Sequence, residues 1–233
     1  MKTIKPLLSL PLILALTLTA EGQTSVSKDL YIDSGAAVSR NVHSVSGDVF
    51  IGKNTKIEGS VTTVSGDIEI GPKAEVGNVE SVSGDIDFAK GVETNAVSSV
   101  SGDLHFYGAN RIRGILKTVS GDITAENGAK CDASIITVSG DIELDDTEVR
   151  EYIQTVSGDI DLYNGTIVAG DIIINRKKGL NPLPMSRLDV VIDLNSIVRG
   201  SIKVLEDDTN VRVHLSNGGK VEGEIINAEV IEH

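Results

Sequence analysis

Seven aspartates, Asp48, Asp67, Asp85, Asp103, Asp122, Asp141 and Asp159, recur along the chain at near-constant spacing. Each closes a Val-Ser-Gly-Asp tetrapeptide, and the motif valines Val45, Val64, Val82, Val100, Val119, Val138 and Val156 are separated by 19, 18, 18, 19, 19 and 18 residues. Carboxylates repeated in this way suit two kinds of chemistry. Stacked oxygens are hard ligands of the sort Ca²⁺ takes, which makes the seven aspartates candidate Ca²⁺ ligands. Aspartate at a turn also accepts hydrogen bonds from backbone N–H groups, a purely structural use. If the repeats stack about 4.8 Å apart, neighbouring carboxylates repel by roughly 0.9 kcal/mol in water. A charge-assisted hydrogen bond, at about 1.5–3 kcal/mol, offsets that. Glu69, Asp87, Glu143 and Asp161 lie two residues beyond four of the motif aspartates and extend the acidic stripe. The nine-residue Gly/Asp pattern with paired glycines that marks calcium-binding repeats is absent.

Other reactive types are sparse. Hydroxyls flank each motif valine, in the pairs Ser44/Ser46, Thr63/Ser65, Ser81/Ser83, Ser99/Ser101, Thr118/Ser120, Thr137/Ser139 and Thr155/Ser157. They are expected to form an outward ladder able to bond a glycan, another solenoid or ice. The single cysteine, Cys131, falls in an apolar column and reads as a small core residue. His43, His105, His214 and His233 have no metal-ligand spacing and no recognisable triad order. Arg176, Lys177, Lys178 and Arg187 form a basic cluster suited to a solvated loop, or to docking on an acidic stripe.

The elements that must position these residues follow from the columns around the motif. Four residues beyond each motif valine stand Val49, Ile68, Ile86, Leu104, Ile123, Ile142 and Ile160, and two further on Ile51, Ile70, Phe88, Phe106, Ala125, Leu144 and Leu162. Between them runs the polar series Phe50, Glu69, Asp87, His105, Thr124, Glu143 and Asp161. Alternation with period two predicts a strand with one buried face. Val61, Val79, Val97, Leu116, Ile135 and Ile153 form a third apolar column, and Ile57, Val76, Val92, Ile112, Cys131 and Val149 a looser fourth. Val-Ala-Gly-Asp at Val168 reads as an eighth motif, aligning Ile172 and Ile174 with Ile160 and Leu162. With no helical stretch between strands, the pattern predicts an all-β fold. The consistent solution is a parallel β-solenoid with one repeat of about 18–19 residues per turn, three short faces per turn and about ten turns. The motif glycine is expected to permit a positive φ at the corner.

Composition agrees with stacking. Aromatics are 3 % of 233 residues, Trp is absent, and 24 residues are Gly, so a narrow aliphatic interior suits the chain. One cysteine excludes an intramolecular disulfide framework. A net charge of −13, from 34 acidic and 21 basic residues, argues against nucleic acid as a partner.

Residues 1–22 read as a signal peptide: Lys2 and Lys5 precede the apolar run from Leu7 to Leu18, which is too short to span a bilayer. The regular solenoid is assigned to 23–175, a Pro-containing loop to 176–188, and irregular terminal turns or a cap to 189–233. The mature form is expected to have no transmembrane segment and to reside in the periplasm, at the cell surface or outside the cell.

The Thr/Ser-Val-Ser-Gly-Asp-Ile series behind a signal peptide resembles the bacterial adhesin-type β-solenoid families whose activity is not established, over roughly 29–175. The stretch 189–230 is weakly similar to the bactofilin-type, end-to-end polymerising solenoids. The resemblance implies a single-stranded, right-handed parallel β-helix and a surface or envelope location, and supplies no functional residues. The leading expectation is a non-enzymatic, exported scaffold or adhesin-like module, with self-association or a cell-surface or glycan partner and no resident cofactor. The alternatives are a glycan- or Ca²⁺-binding module and a polysaccharide lyase-like β-helix enzyme, although no Lys or Arg column adjoins the acidic stripe as a proton acceptor.

Overall fold

The computed structural model describes residues 22–176, 187–205 and 210–233. The signal-peptide reading therefore lies almost wholly outside the described residues, as do Lys177 and Lys178. Short strands make three parallel sheets, and each strand pairs with the strand three elements later in the chain. The first sheet has eleven strands, from Gly22–Ser25 to Ile225–Ile226. The second also has eleven, from Leu30–Ile32 to Glu229–Glu232. The third has ten, from Ala37–Val38 to Lys220–Val221. No helix occurs among the described residues. The fold is an all-β parallel β-solenoid of about ten turns with three faces, and the motif corner joins each strand of the first sheet to the next strand of the second.

The apolar columns face inward because no single turn can bury its own apolar side. Val49, Ile68, Ile86, Leu104, Ile123, Ile142 and Ile160 are all fully buried, and so are Val61, Val79, Ile135 and Ile153. Fully burying such a side chain contributes about 1.5–3 kcal/mol. Stacking also sets side-chain size along the axis. Phe88 and Phe106 lie ring on ring at 4.3 Å and 11°, and the column then narrows to Ala125.

Two alignments differ from the sequence expectation. Ile172 and Ile174 pair with Ile153 and Thr155 in the first sheet, so Val-Ala-Gly-Asp at Val168 is not an eighth copy of the corner. Val168 continues the Val149 column of the third sheet, and the true successors of Ile160 and Leu162 are Val190 and Ile192. The similarity of four residues concealed a one-third turn of phase. The eighth true corner carries no motif: where each earlier turn places Val-Ser-Gly-Asp, the sequence has the longer stretch 176–187, whose loop reading lies mostly outside the described residues, and the second sheet resumes with Leu188–Ile192. In the fourth column, Thr94 and not Val92 stands beside Ile112. A threonine is accepted inside because its Oγ1 donates to the Gly77 carbonyl at 2.9 Å. From Leu188 to Glu232 the strands continue all three sheets in register. The last strand is largely exposed.

Candidate functional site

The motif corner is built from three interlocking ladders. The serine or threonine before each motif valine points inward. Ser44, Thr63, Ser81, Ser99, Thr118, Thr137 and Thr155 are all buried, and each hydroxyl oxygen accepts the N–H of the motif glycine three residues on, at 2.9–3.2 Å. This corrects the expectation of an outward hydroxyl pair. The Val residue between the two hydroxyls is half buried, or exposed at Val138, and the serine after it is exposed, so a single hydroxyl per turn reaches solvent. Ser139 and Ser157 donate to the valine carbonyls of the preceding turn, at 3.1 and 3.2 Å.

The second ladder is glycine on glycine. None of the motif glycines has a positive φ, contrary to the turn argument. Each is required because a Cβ would overlap backbone: at Gly66, Gly84, Gly102, Gly121, Gly140 and Gly158 the nearest atom is the carbonyl oxygen of the motif glycine one turn earlier. The left-handed residues cluster instead at the corner between the second and third sheets, at Asn54, Lys73, Gly91, Gly108, Asn127, Asp146 and Asn164.

The third ladder is the aspartate column. Oδ1 of each aspartate accepts the backbone N–H of the corresponding aspartate one turn on: Asp48 from Asp67, then Asp85, Asp103, Asp122, Asp141 and Asp159 in succession, at 2.8–2.9 Å. Asp29 begins the series below Asp48 (3.1 Å) and Asp189 closes it above Asp159 (2.8 Å). Repulsion between stacked carboxylates is met by the backbone hydrogen bonds that their oxygens accept. Among the described residues no group of three or more His, Cys, Asp or Glu is arranged to hold a metal ion. The seven Ca²⁺ candidates thus each have a structural partner, and the residues do not form a cation cage.

The remaining candidates are dispersed. Cys131 is buried, and burial pushes its thiol up to about 11, which keeps it protonated and unreactive. Arg176 is buried and Arg187 pairs through Nε with Asp189 at 2.7 Å. His105 Nδ1 lies 3.2 Å from Asp87, and His214 Nε2 lies 3.0 Å from Asp189. The polar column already placed Asp87 and His105 as neighbours, but their pairing depends on ring orientation, which a column does not show. Asp161 is held up at about 6. Burial is the largest cause, followed by Asp159, Glu143 and Asp141, while a hydrogen bond from Tyr163 opposes them.

Sequence columns also missed a groove on the outer face of the second sheet. Gly71 and Ala89 occupy the position that holds Tyr107, Glu126, Asp145 and Tyr163 in later turns. The small residues leave a cavity of about 400 Å³, lined by Phe50, Glu69, Pro72, Asp87 and Tyr107 with Gly71 and Ala89 at its floor. Phe50 is stacked on Tyr31 at 4.9 Å and 12°.

No helix of the described residues is long and apolar enough to cross a membrane. No curated protein and no solved structure matches this chain. A family model matches a little under half of the chain, and it supports neither the adhesin-type nor the bactofilin-type assignment. Residues 72–181 match the family Toastrack DUF4097, a β-solenoid domain of unknown function.

Proposed function

We propose that this protein is an exported, non-enzymatic β-solenoid that acts as a rigid spacer or scaffold in the cell envelope, through contacts made by its faces. The observation that carries this reading is the use of the repeated motif. Its inward hydroxyl braces the corner within a turn, its glycine lets successive turns approach, and its aspartate bonds one turn to the next, so the most regular polar feature of the sequence serves architecture. Eleven stacked rungs give a rod about 50 Å long. A lyase would need a basic proton acceptor beside clustered acids. Glu143 and Asp161, adjacent on the second sheet, make no ion pair with Lys or Arg among the described residues. Export is supported by the sequence of residues 1–22.

The test is expression of the full chain in a bacterial host, with fractionation and intact mass of the recovered protein, then small-angle scattering and negative-stain microscopy. The expected result is an envelope-fraction or secreted chain shortened by about 20–22 residues, seen as rods that are single or joined end to end. An uncleaved cytosolic chain would overturn export. Eliminative cleavage of an acidic polysaccharide by the purified protein would overturn the non-enzymatic reading.

A further inference from the structure

The groove on the second sheet has the form of a ligand site. Gly71 at its floor is required by the stack, since a Cβ there would meet the Ile51 carbonyl oxygen at 2.7 Å, but the side chains of its walls project from the rod. In a stack where like residues repeat, it is a local break in the pattern. The outward column changes from Tyr31 and Phe50 to Glu69, Asp87 and His105, while the neighbouring column drops to Gly71 and Ala89 before returning to Tyr107. The result is a depression closed at one end by the Phe50 ring and at the other by Tyr107, three rungs or roughly 14 Å apart. A volume of about 400 Å³ is in the range of small-molecule sites.

The chemistry of the walls selects the ligand. Aromatic faces attract C–H faces of sugar rings and cations. Phe50 is held in place by its stack on Tyr31, so its orientation costs little on binding. Glu69 makes no hydrogen bond or ion pair, and Asp87 meets only the His105 imidazole and the Tyr107 phenol. Lys53, Lys73 and Lys90 stand on the same turns, Lys73 and Lys90 directly after the lining residues Pro72 and Ala89, but none lines the groove or makes an ion pair with either acid. Two carboxylates with free acceptor oxygens between two aromatic walls favour a ligand with hydroxyl donors, an apolar ring face and a positive charge.

We propose that this groove binds an amine-bearing sugar, with a glucosamine unit seated between Phe50 and Tyr107 and its ammonium group at Glu69 and Asp87. The proposal rests on the groove alone, so its failure leaves the rod reading standing.

The experiment is calorimetric titration of the full chain with a glucosamine oligomer and with its N-acetylated counterpart. Fold is checked by circular dichroism for each variant. The amine oligomer is expected to bind, with affinity reduced about tenfold or more by N-acetylation, by Glu69→Gln and by Phe50→Ala, each roughly the 1.4 kcal/mol of one lost contact. Glu143→Gln, on the same sheet but outside the groove, is expected to leave affinity unchanged. Four results would overturn the proposal: no binding of the amine oligomer, equal binding of the acetylated one, indifference to Glu69→Gln in a folded variant, or an equal loss with Glu143→Gln. The last would mean diffuse attraction of a polycation to an acidic rod.

Discussion

Asp103 illustrates what a repeated side chain can do in a stack. Its Oδ1 accepts the N–H of Asp122 at 2.8 Å, while its own N–H is donated to Asp85 at the same distance. The carboxylate oxygen matters and the charge does not, which separates two substitutions. Asp103→Asn keeps an acceptor and removes repulsion from two neighbours, so stability should be unchanged or slightly raised. Asp103→Ala leaves the Asp122 N–H without its partner and should cost about 1–3 kcal/mol by urea denaturation. Equal effects of the two would contradict the ladder. Asp161 behaves in the opposite way. Its carboxyl is raised to about 6 from 3.8, chiefly by burial and then by Asp159, Glu143 and Asp141. An acid whose folded value is raised binds protons more tightly folded than unfolded, so stability rises as pH falls from above 6 toward 3.8. Asp161→Asn is therefore expected to raise Tm at pH 7.5 and to lose most of that gain at pH 4. A gain independent of pH would point to a packing effect instead.

At the scale of the element, much was legible. Period-two alternation placed the second-sheet strands and their inner columns, and the 18–19 residue spacing placed one turn after another, because stacking forces like residues into register. Three features were not legible, for different physical reasons. The motif glycine was read as a conformational hinge, yet it is a contact residue: the backbone of the previous turn occupies the space of its Cβ, and no one-dimensional pattern carries that distance. The serine or threonine before the motif valine pairs in the sequence with the serine after it as an outward ladder, yet it is buried where it satisfies a glycine N–H. The corner after Ile174 lacks the motif, while Val-Ala-Gly-Asp lies between the third and first sheets, so four similar residues were aligned one-third of a turn out of place. The glycine distinction is measurable. Gly121→Ala drives a methyl into the Gly102 carbonyl and should cost about 3 kcal/mol or more. Gly165→Ala meets open space but has φ of +80°, so only the left-handed penalty of about 1–2 kcal/mol applies. A hinge role for the motif glycine would make the two costs alike.

For the whole molecule, the regular acidic stripe is internal bonding seen from outside, and the proposed ligand site lies where the repeat is broken. The groove between Phe50 and Tyr107 escaped the sequence reading for this reason: its residues were assigned to a solvated polar column, and the missing side chains at Gly71 and Ala89 gave no signal. If the aspartates are held by the backbone and not by a cation, millimolar Ca²⁺ should leave Tm within about 1 °C, whereas a site saturated a hundredfold over its Kd would add about 2.7 kcal/mol. The most direct measurement of the central claim is amide hydrogen exchange of the motif aspartates in the calcium-free protein. The account predicts strong protection of the Asp67, Asp85, Asp103, Asp122, Asp141 and Asp159 amides at neutral pH despite their position at the surface. Protection of the Asp122 amide should persist in Asp103→Asn and be lost in Asp103→Ala. Rapid exchange in the native chain, or protection that appears only when Ca²⁺ is added, would contradict it.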